Sequence, residues 1–523
     1  MKYKSVRAIG LLLAILSVLS VGSVGLTGCV TAPPDGSETE SDGTLEPDNA
    51  DTVFQFLESD IQKTNYDREI TQLYRGPDQR MSHEIYMANG ASNGDRIDYA
   101  VYQKNKKVED YLGVRFRFVA ADGSSHGFEL VKQLKAEIRV GNDTYQIVSN
   151  SNYGMQDAIL DGSFLNLKNV KNLDLSKKYW AQRINENAEV SDAVFGITGS
   201  ISLYLYQELF VVFFNKELVN EFGIDPKALY QTVSDGAWTL DYMINLTKNI
   251  YRDTNQNGTT DAEDLYGMAM QLTSAVNGFW SACDIRMTTK TETGALSLDV
   301  DIQKVYQVVS KLNSYVWNQP GVLRIVEDSE AASPSKGLYS EVGSVLVGNS
   351  RVLFATDRLY EVRQESLFGT DRYGVLPYPK YNARSKYASC AHDSYTVFSV
   401  PVTAKEESDI CGAVLEYLAV TNHNVVMPTY YDEVLNSDSH DPLAVKTLNI
   451  IFQNIQMDSG LQFSIGGLSN ILMSGMIMNR LNNVSSVYDS TKSAIAIQCR
   501  RISTLYARYA SNGADTETTE NPD

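Results

Sequence analysis

The sequence predicts an α/β fold in two domains, and three observations carry that prediction. The first is length. Of 523 residues, roughly 495 remain once an N-terminal processing signal is set aside, and a single core rarely grows beyond roughly 250–300 residues. The second is an alternation of strand-like and helix-like patterns between His83 and Val148. Strand–helix–strand–helix–strand implies right-handed crossovers and a largely parallel sheet covered by helices. The third is Leu203 to Phe214, apolar and aromatic except for Gln207 and Glu208. One strand of that length is unusual. A strand that leaves one sheet and enters another accounts for it, with the polar pair at the crossing. The pattern recurs at Tyr395 to Val400.

The chain begins with Lys2, Lys4 and Arg7, then an apolar stretch from Ala8 to Val24, then Leu26-Thr27-Gly28-Cys29. Small residues before a single Cys are what a lipoprotein signal peptidase reads. Residues 1–28 are therefore expected to be cut away, leaving Cys29 as a lipidated, palmitate-carrying N-terminus on the outer face of the cell membrane. The alternatives are a secretory peptide with a chance Cys and an uncleaved anchor helix. From 29 to 52 the chain is Pro, Ser, Thr, Gly and acidic residues, a composition that suits a flexible tether. The tail, 511–523, has the same character. There is no internal repeat and no second membrane span in the sequence.

The body opens with a strand-like run at His83 to Ala88, then a loop at Asn89 to Gly94. Ile97, Ala100, Val101, Val108, Tyr111 and Leu112 recur at helical spacing. Val114, Phe116 and Phe118 alternate as one face of a strand. A helix at Phe128 to Ile138 and a short buried strand at Tyr145 to Val148 follow, with further strands at Met268 to Leu272 and Val352 to Ala355. Loops after parallel strands gather at one sheet edge, where ligands bind. Thr239 is an N-cap flanked by Trp238 and Met243, a hydrophobic staple that accounts for this Trp structurally.

Composition narrows the partners. A net charge of −19 repels nucleic acid and anionic lipid heads and fits a neutral or cationic ligand. The chain holds 31 Tyr and 4 Trp; aromatic faces pack on the C–H faces of sugars while hydroxyls and amides bind sugar hydroxyls. Cys283, Cys390, Cys411 and Cys499 remain after Cys29, enough for two disulfides in any of three pairings, or for four buried thiols. No His has zinc-ligand spacing.

Phe213-Phe214-Asn215-Lys216-Glu217-Leu218, Gly223-Ile224, Asp235-Gly236-Ala237-Trp238-Thr239, Asp253 to Gly267 and Tyr373-Gly374-Val375-Leu376-Pro377-Tyr378-Pro379-Lys380 occur in that order. In this set the chain resembles the extracellular solute-binding proteins of carbohydrate ABC importers, the family-1 group that includes maltose-binding protein, from about His83 to Tyr506. The resemblance implies a two-lobed, periplasmic-binding-protein-like (type II) fold with crossing hinge strands. One lobe would comprise 53–206 and 396–455, the other 207–395 and 456–510. It implies a monomer that is no enzyme, that closes around an oligosaccharide or similar solute, and that delivers it to the transmembrane subunits of an ABC permease. The membrane is met only through the lipid, and nucleic acid not at all. Glu208 is carried over as the acidic contact that members place on the crossing strand. Asn89 and Asn93 after the first strand, Ser149, Asn150, Asn152 and Tyr153 after the Tyr145 strand, Asn277, Phe279 and Trp280 after the Met268 strand, Asp357 and Arg358 after the Val352 strand, and His392, Asp393 and Tyr395 before the return crossing are the other ligand candidates. Among these, Trp280 is expected as the stacking platform.

Asp253, Asn255, Asn257, Gly258, Asp261 and Asp264 nearly match an EF-hand loop, with the Thr259 carbonyl as a further oxygen. Asp264 stands where Glu is expected, and its arm is shorter. A structural Ca2+ is the expectation, and a metal-free Asx turn is the alternative. Gly123-Ser124-Ser125-His126-Gly127 fits the nucleophile-elbow pattern, so a serine esterase using Ser125, with Asp357 and His392, is the competing enzyme reading. A surface polysaccharide-binding lipoprotein and a peptide-binding importer receptor are the remaining alternatives.

Overall fold

The computed structural model describes residues 53–76, 83–88, 94–122, 127–326 and 337–513. Cys29, the 1–28 signal, the 29–52 tether, Asn89, Asn93 and Ser125 lie outside the described residues. All described residues belong to one unit, Asp48–Asp523. None of its helices is long and apolar enough to cross a membrane.

Two sheets organise the chain. In order, the strands are β1 (Arg68–Arg75), β2 (Val114–Ala121), β3 (Ile147–Ser151), β4 (Phe210–Asn215), β5 (Tyr251–Arg252), β6 (Leu265–Gln271), β7 (Thr288–Lys290), β8 (Leu296–Leu298), β9 (Val322–Val326), β10 (Leu338–Tyr339), β11 (Val352–Arg358), β12 (Tyr373–Pro377) and β13 (Thr396–Ser399). The smaller sheet has the order β13-β3-β1-β2. Its first three strands in sequence are parallel, and β13 returns antiparallel with Thr396 opposite Ser151. The larger sheet runs β10-β9-β6-β11-β4-β12, with β5 beside β6; β7 and β8 form a separate hairpin. Here β9, β6 and β11 are parallel, and β4 runs against β11, with Phe210 opposite Arg358. The α/β class and the division into two sheets joined by two crossings match the expectation.

Local chemistry explains where the expected elements moved. The run His83 to Ala88 is not a strand, because side chains take its carbonyls: Lys104 donates to Glu84 at 2.8 Å and Asn105 to Ile85 at 2.9 Å. The first strand is β1, whose buried Thr71 and Gln72 disguise it. The Thr71 N–H donates to Gln146 and the Gln72 amide to Ser149, each at 2.9 Å. Leu203 to Phe214 is likewise not one strand. Ser202 caps a short helix, Leu203–Gln207, by accepting from the Leu205 N–H at 3.1 Å, and β4 begins only after Gln207 and Glu208. β4 itself is buried throughout, as a strand covered on both faces requires. The strand expected at Tyr145 starts two residues later, as β3.

Helices Arg96–Leu112 and Phe128–Val140 form where the periodicity placed them. Asp95 caps the first, and Gly113 ends it at φ 62, where a Cβ would stand 2.0 Å from Asn65 Oδ1. Thr239 caps Leu240–Thr247, and Trp238 and Met243 are both buried, as the staple requires. The C-terminal helices pack as follows. The helix Ser408–Leu435 packs with the smaller sheet through Cys411 to Val420 and with the larger core through Val426 to Leu435. The next helix, Pro442–Gln453, packs on Pro226–Ser234 and β12. The tail expectation also shifts, since Asn512 donates to the Phe164 carbonyl at 3.0 Å and accepts from the Asn166 N–H. At the junction of the two halves, Phe54 sits edge-on to Tyr206, His423, Tyr431 and Phe452, with centroids 5.3–5.9 Å away. All four remaining cysteines are free and buried, so of the two readings for them the thiols stand.

Candidate functional site

The two crossings lie side by side. The Phe210 N–H donates to the Cys390 carbonyl and the His392 N–H to the Glu208 carbonyl, each at 2.9 Å. That pairing puts the start of β4 and the approach to β13 against the carboxyl end of β11. Five sequence candidates meet there: Glu208, Asp357, Arg358, His392 and Asp393. Arg358 Nη1 lies 3.2 Å from Glu208 Oε2, and its Nε lies 3.6 Å from Asp357 Oδ1. The guanidinium covers the Tyr360 ring at 4.5 Å. His392 Nδ1 stands 3.8 Å from Glu208, 3.3 Å from Asp393 and 2.7 Å from the Ser394 hydroxyl. Glu361, close enough to feel Arg358, is buried, and burial raises its pKa. The cluster therefore holds more carboxylates than cations in a nearly dry setting, Glu208 being 4% and Arg358 8% exposed. His392 and Asp393 are its wetter edge.

The smaller sheet meets this cluster through the return crossing. The Tyr153 N–H donates to the Asp393 carbonyl at 3.1 Å and the Asn152 N–H to Tyr395 at 2.8 Å. Arg75, the last residue of β1, donates to the Ser394 carbonyl at 2.8 Å and stacks on Tyr204. Tyr153, 39% exposed, lies edge-on to Phe128, 40% exposed, at 5.9 Å. These rings stand at the helix starts that follow β2 and β3, so they supply an aromatic surface beside the polar cluster. The carboxyl ends of strands from both sheets thus converge on one place, where ligands of α/β sheets bind.

Other candidates are engaged elsewhere. Ser149 accepts from Gln72, and Asn150 donates to the Gly127 carbonyl at 3.1 Å while accepting from the Ser151 N–H. Both are buried and hold β3 in place. Asn277 bonds to Asn470 at 2.8 Å, on a different edge. Trp280 is corrected: at 0% exposure it offers no face to a solute, and its indole faces the buried Asp458 carboxylate. The short helix Gly278–Ala282 turns it inward. Arg75, Phe128 and Tyr360 went unpredicted. Arg75 was hidden with its strand, but an exposed Phe opening a helix after a strand was a signal open to use.

In the loop from Asp253 to Asp264 most oxygens serve the loop itself. Asp253 Oδ2 accepts from the Gly258 N–H at 2.9 Å, Asn257 from the Thr259 N–H at 2.7 Å, and Asp264 from the Tyr251 hydroxyl at 2.7 Å and the Asp261 N–H at 3.0 Å. Asp261 accepts from Asn257 at 2.7 Å and Asn255 from the Asn257 N–H at 3.1 Å. Asp253 Oδ1 is buried without a partner. Among the described residues no three His, Cys, Asp or Glu are gathered as a metal group would be.

No protein-family model matches the chain, and no curated protein matches it. Solved structures are similar to it in fold. One is an ABC transporter solute-binding protein from Thermotoga lettingae TMO bound with α-D-tagatose, at 13% identity and TM-score 0.48, covering 83% of this chain and 100% of that one. Another is the galacto-N-biose/lacto-N-biose I-binding protein of Bifidobacterium longum with lacto-N-biose, at 12% identity and TM-score 0.47, covering 85% and 98%. A third is the cyclic α-maltosyl-1,6-maltose binding protein of Arthrobacter globiformis, at 10% and 0.49, covering 83% and 99%.

Proposed function

We propose that this chain is the lipid-anchored, monomeric receptor of an ABC importer. It captures an oligosaccharide or related polyhydroxylated solute between two lobes that close on it, with no covalent chemistry. The observation that carries the reading is the cluster of Glu208, Asp357, Arg358 and His392, beside the Phe128–Tyr153 rings, where strand ends of both sheets meet. Carboxylates and a guanidinium accept from and donate to vicinal hydroxyls in pairs, and rings cover the apolar face of a sugar. Contacts drawn from both halves form together only when the halves are closed, so the solute stabilises that state. The ordered motifs from Phe213 to Lys380 and the lipid signal at Cys29 support the same reading. The surplus of carboxylates favours a second solute class, a cationic peptide.

A thermal-shift screen against mono- and oligosaccharides and cationic peptides tests it. A saccharide held at 100 times its Kd adds about 2.7 kcal/mol of stability, and such a rise is expected from at least one member. A rise from peptides alone moves the assignment, and no rise from any member overturns it. Calcium enters the proposal as a structural ion at Asp253, Asn255, Asn257, Thr259, Asp261 and Asp264, where Asp253 Oδ1 is buried without a hydrogen-bond partner. In the same screen calcium is expected to raise the melting temperature above an EDTA control. For the anchor, radiolabelled palmitate is expected to enter the wild type and not Cys29→Ala; equal labelling of both would remove it.

A further inference from the structure

Four tryptophans report on this chain. Trp180, Trp238 and Trp280 are 2%, 0% and 0% exposed, whereas Trp317, on the last turn of the helix Ile302–Asn318, is only partly buried. Its indole N–H donates to the Ile477 carbonyl at 2.8 Å. The Arg324 guanidinium carbon lies 4.4 Å from its ring centroid and that of Arg480 lies 3.8 Å away. Both guanidinium groups therefore lie against the same indole.

The chain treats its other sheltered arginines differently. Arg75 and Arg351 donate to the carbonyls of Ser394 and Ala262, and Arg358, Arg363 and Arg372 to the carboxylates of Glu208, Glu433 and Glu217. Arg324 has no hydrogen-bond acceptor among the described residues; its Nε is buried and unpartnered, as that of Arg75 is, but unlike Arg75 no other nitrogen of its guanidinium finds an acceptor there either. Burial and the neighbouring Arg480 both push its pKa down. Arg480 is also held at φ 54, a left-handed conformation that a non-glycine residue adopts at a cost. Two like charges are thus drawn together on one ring, in a chain of net charge −19, with no carboxylate of the described residues paired with them. A buried N–H and two facing cations form an arrangement short of an anion.

We propose that Arg324, Trp317 and Arg480 form a binding site for a phosphate-type oxyanion. Held against the ring, both guanidiniums keep N–H groups to donate to oxyanion oxygens, and paired donation of this kind is how arginine binds such groups best. The same chemistry is offered by free phosphate and by the headgroup of an anionic phospholipid.

Because the other three tryptophans are buried, quenching by neutral acrylamide reads Trp317. Sodium phosphate is expected to protect it along a saturating curve that sodium chloride at matched ionic strength does not reproduce. Arg480→Gln, at an exposed position, is expected to weaken that protection roughly tenfold or more, and Arg324→Gln to do the same. Trp317→Phe should remove the quenchable signal and so confirm its source. A second arm uses vesicles of phosphatidylglycerol against phosphatidylcholine. Protection by phosphate assigns a free ion; protection by the anionic vesicles alone assigns the headgroup. Phosphate and anionic vesicles acting no better than their controls, or acting equally on Arg480→Gln, would overturn the site.

Discussion

Replacing Arg358 with alanine is expected to destabilise the fold by about 3–5 kcal/mol at neutral pH, the range for removing one partner of a buried ion pair, and to abolish any stabilisation by solute. The guanidinium stands between Glu208 and Asp357 with its carbon 4.5 Å from the Tyr360 ring centroid. Without it, the buried carboxylates of Glu208 and Asp357 lose the guanidinium that lies between them. Their charges are then left buried without the partner that opposed them. Urea denaturation of wild type and variant measures this. A loss well below that range would mean that Arg358 contributes packing and not charge. Arg358→Lys separates the two roles of the residue: it restores most of the stability, but its single ammonium cannot donate in a fork. Solute response should stay low in Arg358→Lys if the guanidinium holds hydroxyl pairs.

The part of this site legible in sequence was the part built on apolar runs. Glu208 could be placed because two polar residues interrupt Leu203 to Phe214, and Asp357 and Arg358 because they end a buried strand. The interruption does mark a crossing, but the segment before it is a short helix, Leu203–Gln207, and not a continuous strand. Hydrophobicity marks burial, and a buried helical turn and a buried strand look alike over five residues. Arg75 was illegible for the opposite reason. Thr71 and Gln72 are polar, yet they lie in the middle of a sheet because Gln146 and Ser149 satisfy them. Pairing of that kind is a tertiary fact that no local pattern records.

Trp280 and Tyr153 give the same lesson about direction. Both follow strands at positions where ligand contacts gather, and their residue types suit sugar binding equally. Trp280 points into the core and Tyr153 out to Phe128. Which way a side chain leaves a short helix depends on its rotation relative to the sheet beneath, and a five-residue helix such as Gly278–Ala282 has too few turns to show a polar and an apolar face.

The second large effect is expected at Glu84, far from either strand-end loop in sequence but tied to both crossings. Its carboxylate accepts from the Ser202 hydroxyl at 3.2 Å, the Tyr204 N–H at 2.9 Å and the Thr396 hydroxyl. Ser202 and Tyr204 open the first crossing and Thr396 opens β13, so one buried side chain ties the two crossings together. Burial raises its pKa, and Arg75 and Lys104 oppose that rise. Glu84→Ala leaves three donors without an acceptor and Lys104 without its carboxylate, and a loss of about 3–5 kcal/mol is expected. Lys104 supplies a distinctive readout. Burial pushes it from the ordinary 10.5 down to about 8. Between those values the unfolded chain holds a proton that the folded chain has released, so stability should rise with pH across that window, by up to about 3 kcal/mol. In Glu84→Ala the anion that supports the lysine charge is gone, so the rise should begin below pH 8. In Lys104→Met it should vanish. Wild type and Lys104→Met tracking each other from pH 7 to 10.5 would show that the lysine carries no such burden, and that Glu84 acts on the crossings through its hydrogen bonds alone.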